Sequence, residues 1–91
     1  MVRIEFDMIV FREAKSYVAY CPELDVSSCG RDIDEARANL KTAVRLFVEE
    51  TERLGTLDQV LQEAGYVPDG KGGYTPPRVV ATETATVAVG A

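Results

Sequence analysis

The sequence predicts an α+β fold: a three-stranded antiparallel sheet covered by one long helix, with a short second helix and a C-terminal strand. Three features predict it. Residues 2–11 alternate apolar and polar side chains with a period of two, residues 32–54 repeat apolar side chains at steps of three and four, and no second segment is long enough to pack as an equal partner helix. A helix that is apolar along one stripe must bury that stripe, and strands are the only surface the preceding chain offers.

In the first strand Val2, Ile4, Phe6, Met8 and Val10 oppose Arg3, Glu5 and Asp7. The alternation lapses at Ile9 and Phe11, apolar on the otherwise polar face, so that end of the face is expected to be covered by a partner or by the tail. Residues 12–15 form a short charged connection. Residues 16–21 are rich in aromatic and β-branched side chains, which makes the pair an antiparallel hairpin. Pro22 ends the second strand because it has no N–H to give to a ladder. The loop Pro22-Glu23-Leu24-Asp25 leads to a brief third strand over 26–29, and Gly30 turns the chain into the helix.

The helical stripe comprises Ile33, Ala36, Leu40, Val44, Phe47, Val48, Thr51 and Leu54. Asp32 is placed to cap the first turn, with Glu35 expected to reach back to the Asp32 amide, and Gly55 supplies the left-handed stop. A second helix over 57–64 is opened by Thr56, answered by Gln59, and stopped by Gly65. Residues 66–77, with Pro68, Asp69, Gly70, Gly72, Gly73 and two further prolines, read as a loop or loose hairpin between Tyr66 and Tyr74. Residues 78–89, heavy in Val and Thr, read as one long strand with Val79, Ala81, Ala85, Val87 and Val89 on one face. An unpaired strand of this kind is a sticky edge, expected to join the first sheet or the sheet of a second copy. The chain is thus one domain, with residues 1–65 as the strand-and-helix unit and 66–91 as the loop and final strand.

Ninety-one residues hold one core. A chain of this length buries roughly 60 to 65 per cent of its unfolded surface, so self-association is expected to help it. The net charge of −5 argues against a phosphate-tracking surface and suits a basic partner. No stretch resembles a signal peptide or approaches the roughly 20 apolar residues of a membrane span, so a cytoplasmic location is the expectation. Two cysteines without any histidine cannot complete a four-ligand zinc site within one chain. Cys21 and Cys29, each flanked by apolar or small residues at a strand end, are expected as buried, reduced thiols, with a cross-strand disulfide as the alternative.

The absence of histidine also removes the commonest general base and every Ser-His or Cys-His pair. Gly70-Lys71-Gly72-Gly73 lacks the strand-before, helix-after setting of a phosphate loop and reads as a plain turn. Asp7 with Glu49 or Glu50 on a facing helix would be the carboxylate set of a metal-dependent nuclease. Asp7, however, lies on the strand's polar face, so helix carboxylates are not expected to converge on it; no metal or cofactor is expected. More informative is the end of the long helix, where Glu49, Glu50 and Glu52 face the negative pole of the helix dipole. Arg45 and Arg53 are spaced to pair with Glu49, and Arg53 with Glu50, whereas Glu52 has no such helical partner.

Tyr17-Val18-Ala19-Tyr20-Cys21-Pro22-Glu23-Leu24, then Gly30-Arg31-Asp32-Ile33-Asp34-Glu35-Ala36, then Ala43-Val44 and Glu49-Glu50, resembles the HicB family of antitoxins over roughly residues 2–54. The resemblance implies a reduced RNase H-like or double-stranded-RNA-binding-like layout. It also implies a partner: HicB-type proteins bind HicA, a small basic RNA-cleaving toxin, and mask its active histidine. Two departures stand out. Glu13-Ala14-Lys15-Ser16 replaces the acidic, Gly-rich turn of many members, and residues 66–91 show neither the helical pattern nor the basic cluster of the DNA-binding domain that many members carry. DNA binding is accordingly not expected.

The function expected is non-enzymatic neutralisation of a basic toxin by a homo-oligomer built through the terminal strand. Glu49, Glu50 and Glu52, with Glu23 and Asp25 of the loop, are the candidate contact residues. The alternatives are the metal-dependent nuclease and an orphan regulatory or ligand-binding domain without a toxin.

Overall fold

In the computed structural model, which describes residues 2–90, the chain runs β1 (Arg3–Ile4), β2 (Ile9–Glu13), β3 (Ser16–Cys21), β4 (Val26–Gly30), α1 (Ile33–Leu54), α2 (Leu57–Glu63), β5 (Val67–Pro68) and β6 (Gly73–Thr75). The strands β2, β3 and β4 form an antiparallel sheet in that order, with Ile9 opposite Tyr20 and Tyr17 opposite Gly30. The predicted α+β architecture is present. Helix α1 lies across this sheet, most closely over β4 and then β3, and least over β2. A second small sheet has the order β1-β6-β5, in which β1 and β6 are parallel.

Burial follows the predicted alternation. Val2, Ile4, Phe6, Met8 and Val10 are half-buried while Arg3, Glu5, Asp7, Ile9 and Phe11 are exposed. Along α1, Ala36, Leu40, Val44 and Thr51 are buried and Phe47 and Val48 half-buried, but Ile33 and Leu54 at the two ends of the stripe are exposed. The core gathers these with Ala19, Cys21 and Leu24 from the sheet and Leu57, Leu61 and Tyr66 from the later chain. Leu40, Leu61 and Cys21 are the largest side chains lost from water entirely. Burying one leucine fully is worth about 1.5–3 kcal/mol, so Leu61 is the main attachment of α2. Buried Thr51 meets its hydrogen-bonding need within α1, its hydroxyl donating to the Phe47 and Val48 carbonyls at 3.0 Å each.

Asp32 accepts the Glu35 amide at 2.7 Å, and Gly55 takes the left-handed conformation (φ 77) that lets Thr56 N–H reach the Thr51 carbonyl at 2.9 Å. Several local expectations are corrected. The Glu35 carboxylate reaches past Asp32 to the Arg31 amide at 3.0 Å, drawn there because the Arg31 guanidinium adds a charge-assisted bond at 2.9 Å. The second capping box does not form: the Thr56 hydroxyl donates back to Thr51, and the Gln59 amide donates to Glu63 one turn on.

Residues 2–11 do not form one continuous ladder. The chain changes partners, with β1 held by β6 and β2 by β3. Between them the Asp7 amide donates to the Glu23 carboxylate at 3.2 Å. The loose hairpin expected between Tyr66 and Tyr74 is present as β5 and β6, built round Asp69, whose carboxylate accepts the Lys71 and Gly73 amides and the Arg3 guanidinium. The C-terminal strand of the fold is therefore the β5-β6 pair. Residues 78–89, expected as a strand, carry no backbone pairing among the described residues and remain exposed. Cys29 is also exposed, because it lies one residue out of step with the inward-facing Ser28 and Gly30; only Cys21 is a buried thiol, and both are free.

Candidate functional site

The five carboxylates marked in the sequence divide into two groups. Glu49, Glu50 and Glu52 are exposed near the C-terminus of α1, with Glu50 and Glu52 on opposite sides of buried Thr51. Arg45 Nε lies 3.5 Å from Glu49, and Arg53 grips Glu50 rather than being shared with Glu49. Exposed helical pairs of this kind are worth at most a few tenths of a kcal/mol, so they leave both glutamates available to a stronger partner. Glu52 has no ion pair among the described residues.

Glu23 and Asp25 sit in the turn between β3 and β4 and are committed to holding it. Both Glu23 carboxylate oxygens accept the Asp7 amide, and one lies 3.5 Å from Cys21 Sγ. Desolvation raises the Glu23 carboxyl above its ordinary value, and burial pushes the Cys21 thiol up to about 11, so the thiol is not a thiolate near neutral pH. Asp25 adopts a left-handed conformation (φ 55) and accepts the Tyr20 hydroxyl at 2.9 Å. Of the two, Asp25 keeps an exposed carboxylate and Glu23 is half-buried. Because the chain reverses between β4 and α1, the turn and the C-terminal half of α1 occupy the same end of the sheet.

A groove of about 440 Å³ separates α1 from the start of the chain. Its floor is apolar, formed by Val2, Ile4 and Phe6 on one side and Val44 and Val48 on the other. Lys41, Arg45, Glu49 and Glu52 form the rim, so two of the three helix carboxylates border an apolar opening. Such a combination of greasy floor and charged rim is the anatomy of a protein-binding surface. Glu49 and Glu52 of the rim were marked in the sequence as candidates, and the apolar floor was not. Val2, Ile4 and Phe6 looked like ordinary core positions, and nothing in their period shows that α1 veers away from them.

A second exposed apolar area lies on the outer face of the main sheet. Ile9 and Phe11 are 40% and 49% exposed and face cross-strand neighbours Tyr20 and Val18, with Cys29 beside Val18. This is the lapse in alternation seen in the sequence, and the chain's own tail does not cover it.

Asp7 lies on this outer face, opposite to the direction of Phe6 and Met8, and its amide rather than its carboxylate meets Glu23. Helix carboxylates are thus not brought to Asp7. Among the described residues no group of three His, Cys, Asp or Glu side chains is arranged to hold a metal ion. No described helix is long and apolar enough to cross a membrane. No protein-family model matches the chain, and no match is found among curated proteins or among solved structures.

Proposed function

We propose that this chain is a non-catalytic binding domain of HicB type that neutralises a small, basic, RNA-cleaving protein of HicA type by covering its active histidine. The observation that carries the reading is Glu52, a carboxylate with no ion-pair partner among the described residues, at the rim of an apolar groove and next to Glu49. A basic side chain docking there would gain a partner without displacing one. The net charge of −5 and the family-like order of strand, Pro-acidic-Leu turn, strand, glycine and helix support the same reading.

The test is to express the chain together with the products of its neighbouring genes, isolate it and weigh the complex. A basic partner of similar size is expected, whose RNA cleavage stops when this chain is added. Association should slow as ionic strength rises, and Glu49→Lys with Glu52→Lys should weaken it by reversing the rim charge. Isolation of the chain with nothing but copies of itself, or salt-independent binding that ignores both substitutions, would sink the proposal in favour of an orphan regulatory domain.

A further inference from the structure

The run from Arg3 to Glu13 uses only one of its two edges. Glu13 and Ser16 flank a two-residue turn, which makes them a hydrogen-bonded pair; alternation then assigns the same role to Phe11 and Ile9. Arg3 and Glu5 donate their amides to the Gly72 and Tyr74 carbonyls at 3.2 Å each, and Asp7 donates to Glu23. Every odd-numbered amide from 3 to 13 therefore points the same way. Those of Ile4, Phe6, Met8, Val10 and Arg12 point to the opposite edge. Strands β1 and β2 are both outermost in their sheets, and no described residue bonds to that edge.

A free edge of this length is a template for another strand. The same chain contains a segment suited to it. Residues 2–13 and 78–89 are twelve residues each, and the second is rich in Val and Thr with no backbone partner among the described residues. Its valines are out in water, Val80 at 89% exposure and Val89 at 92%. The chain holds this tail away from its body: its radius of gyration is 15.6 Å, against about 12 Å for a compact domain of this length. Thr75, from which the tail departs, belongs to β6, which occupies the odd-numbered edge, so the tail leaves on the far side from the edge that lacks a partner.

The groove completes the fit. A smaller cleft lined by Tyr74 and Asp58 lies on the β6 side of Val2 and Glu52, while no β6 or α2 residue lines the larger groove. The larger groove consequently opens on the unpaired side. A strand added there would direct alternate side chains into the groove against Val44 and Val48, and the rest onto the outer face beside Ile9 and Phe11. The tail has a largely matching pattern, with Val79, Ala81, Ala85, Val87 and Val89 on one face, interrupted by Glu83 where the groove's rim offers Lys41 and Arg45, and Val80 with threonines on the other.

We propose that residues 78–89 of one copy add as a strand to the even-numbered edge of residues 2–13 of a second copy, and that the exchange is reciprocal and closes a dimer. The exchange is independent of what the rim carboxylates bind. It covers two apolar surfaces and a row of unpaired amides at once, by backbone pairing with pockets for alternate side chains.

The test combines mass in solution with amide hydrogen exchange of the full chain. The mass expected is about 20 kDa, twice the 10.0 kDa of one chain. The amides of Ile4, Phe6, Met8, Val10 and Arg12 should be protected alongside the odd-numbered ones. Ala81→Pro with Thr86→Pro removes a tail N–H of each parity. That variant should fall to the mass of one chain and lose protection at the even-numbered amides alone, the odd-numbered ones reporting that the fold survives. Val79→Asp with Val87→Asp, which leaves the tail backbone intact, should dissociate the dimer in the same way. A monomer whose even-numbered amides exchange freely would overturn the proposal, as would a dimer that persists in the proline variant. A monomer with those amides protected would overturn it too, because the tail would then be folding onto its own chain.

Discussion

Glu23 shows how a side chain can serve the fold in a way the sequence does not display. In the sequence it is an acidic residue in a loop, and an acidic loop reads as a docking surface. In the structure it also acts as a clamp: it accepts the amide of Asp7 where the first strand changes partners, a site with no strand neighbour to do so. Desolvation raises its carboxyl above the ordinary 4.5, so in the pH window just above that value the native state holds a proton that the unfolded chain releases. Its titration therefore lowers stability as pH rises through the window. Glu23→Gln keeps an oxygen for the Asp7 amide and removes the titration. Denaturant unfolding from about pH 4 to 7 should show the wild type losing stability relative to the variant as pH rises through the lower part of that range. Parallel curves would mean that Glu23 titrates alike in both states. Cys29 carries a similar lesson, for its exposed position was legible from strand parity with Ser28 and Gly30, a simpler signal than cysteine's preference for burial.

At the scale of elements, the helix and the strand hairpin were legible because their sequence periods match the geometry of the face they bury. The 22-residue α1 begins and ends at the residues its caps mark. The hinge between β4 and α1 is tighter than the sequence suggests. A Cβ on Gly30 would lie 2.4 Å from the Ala36 amide nitrogen and 2.8 Å from the Glu35 carbonyl carbon, both backbone atoms. Glycine is needed here for space, not for an unusual φ. Gly30→Ala should force α1 off the sheet and cost about 1–3 kcal/mol in denaturant unfolding, as overpacking does elsewhere. An unchanged midpoint would show that α1 can slide without loss. The partner change within residues 2–11 was not legible, because alternation of side chains is the same whichever strand supplies the hydrogen bonds. The tail misled for the converse reason: Val and Thr record fitness for a sheet without recording whose sheet it is.

For the whole molecule, Tyr66 ties the small sheet to the core that α1 and the main sheet share. It is buried after α2, and its hydroxyl donates to the Glu5 carbonyl at 2.7 Å, across 61 positions of sequence. Burial, with the carboxylates and thiol nearby, raises its phenol well above the ordinary range, so this donor keeps its proton at neutral pH and well into the alkaline range. Tyr66→Phe leaves the ring in place and orphans the carbonyl. Its expected cost is about 0.5–1.5 kcal/mol of unfolding free energy, measured against wild type in denaturant. No loss would mean that solvent reaches Glu5 and takes the hydroxyl's place. This contact had no signature in the sequence beyond an aromatic residue following a helix stop.

The parallel pairing of Arg3 with Gly73 sets an order of events for the folding chain. Residues 9–54 make their contacts between near neighbours, each strand reversing onto the last and α1 onto β4. The small sheet instead requires the first residues to wait for a hairpin about seventy positions later, and the entropy of closing so long a loop is met only after the rest has condensed. The free edge and the groove beside Val2, Ile4 and Phe6 are therefore finished last. A nascent copy emerging beside a completed one would meet a receptive neighbour before its own first strand had settled.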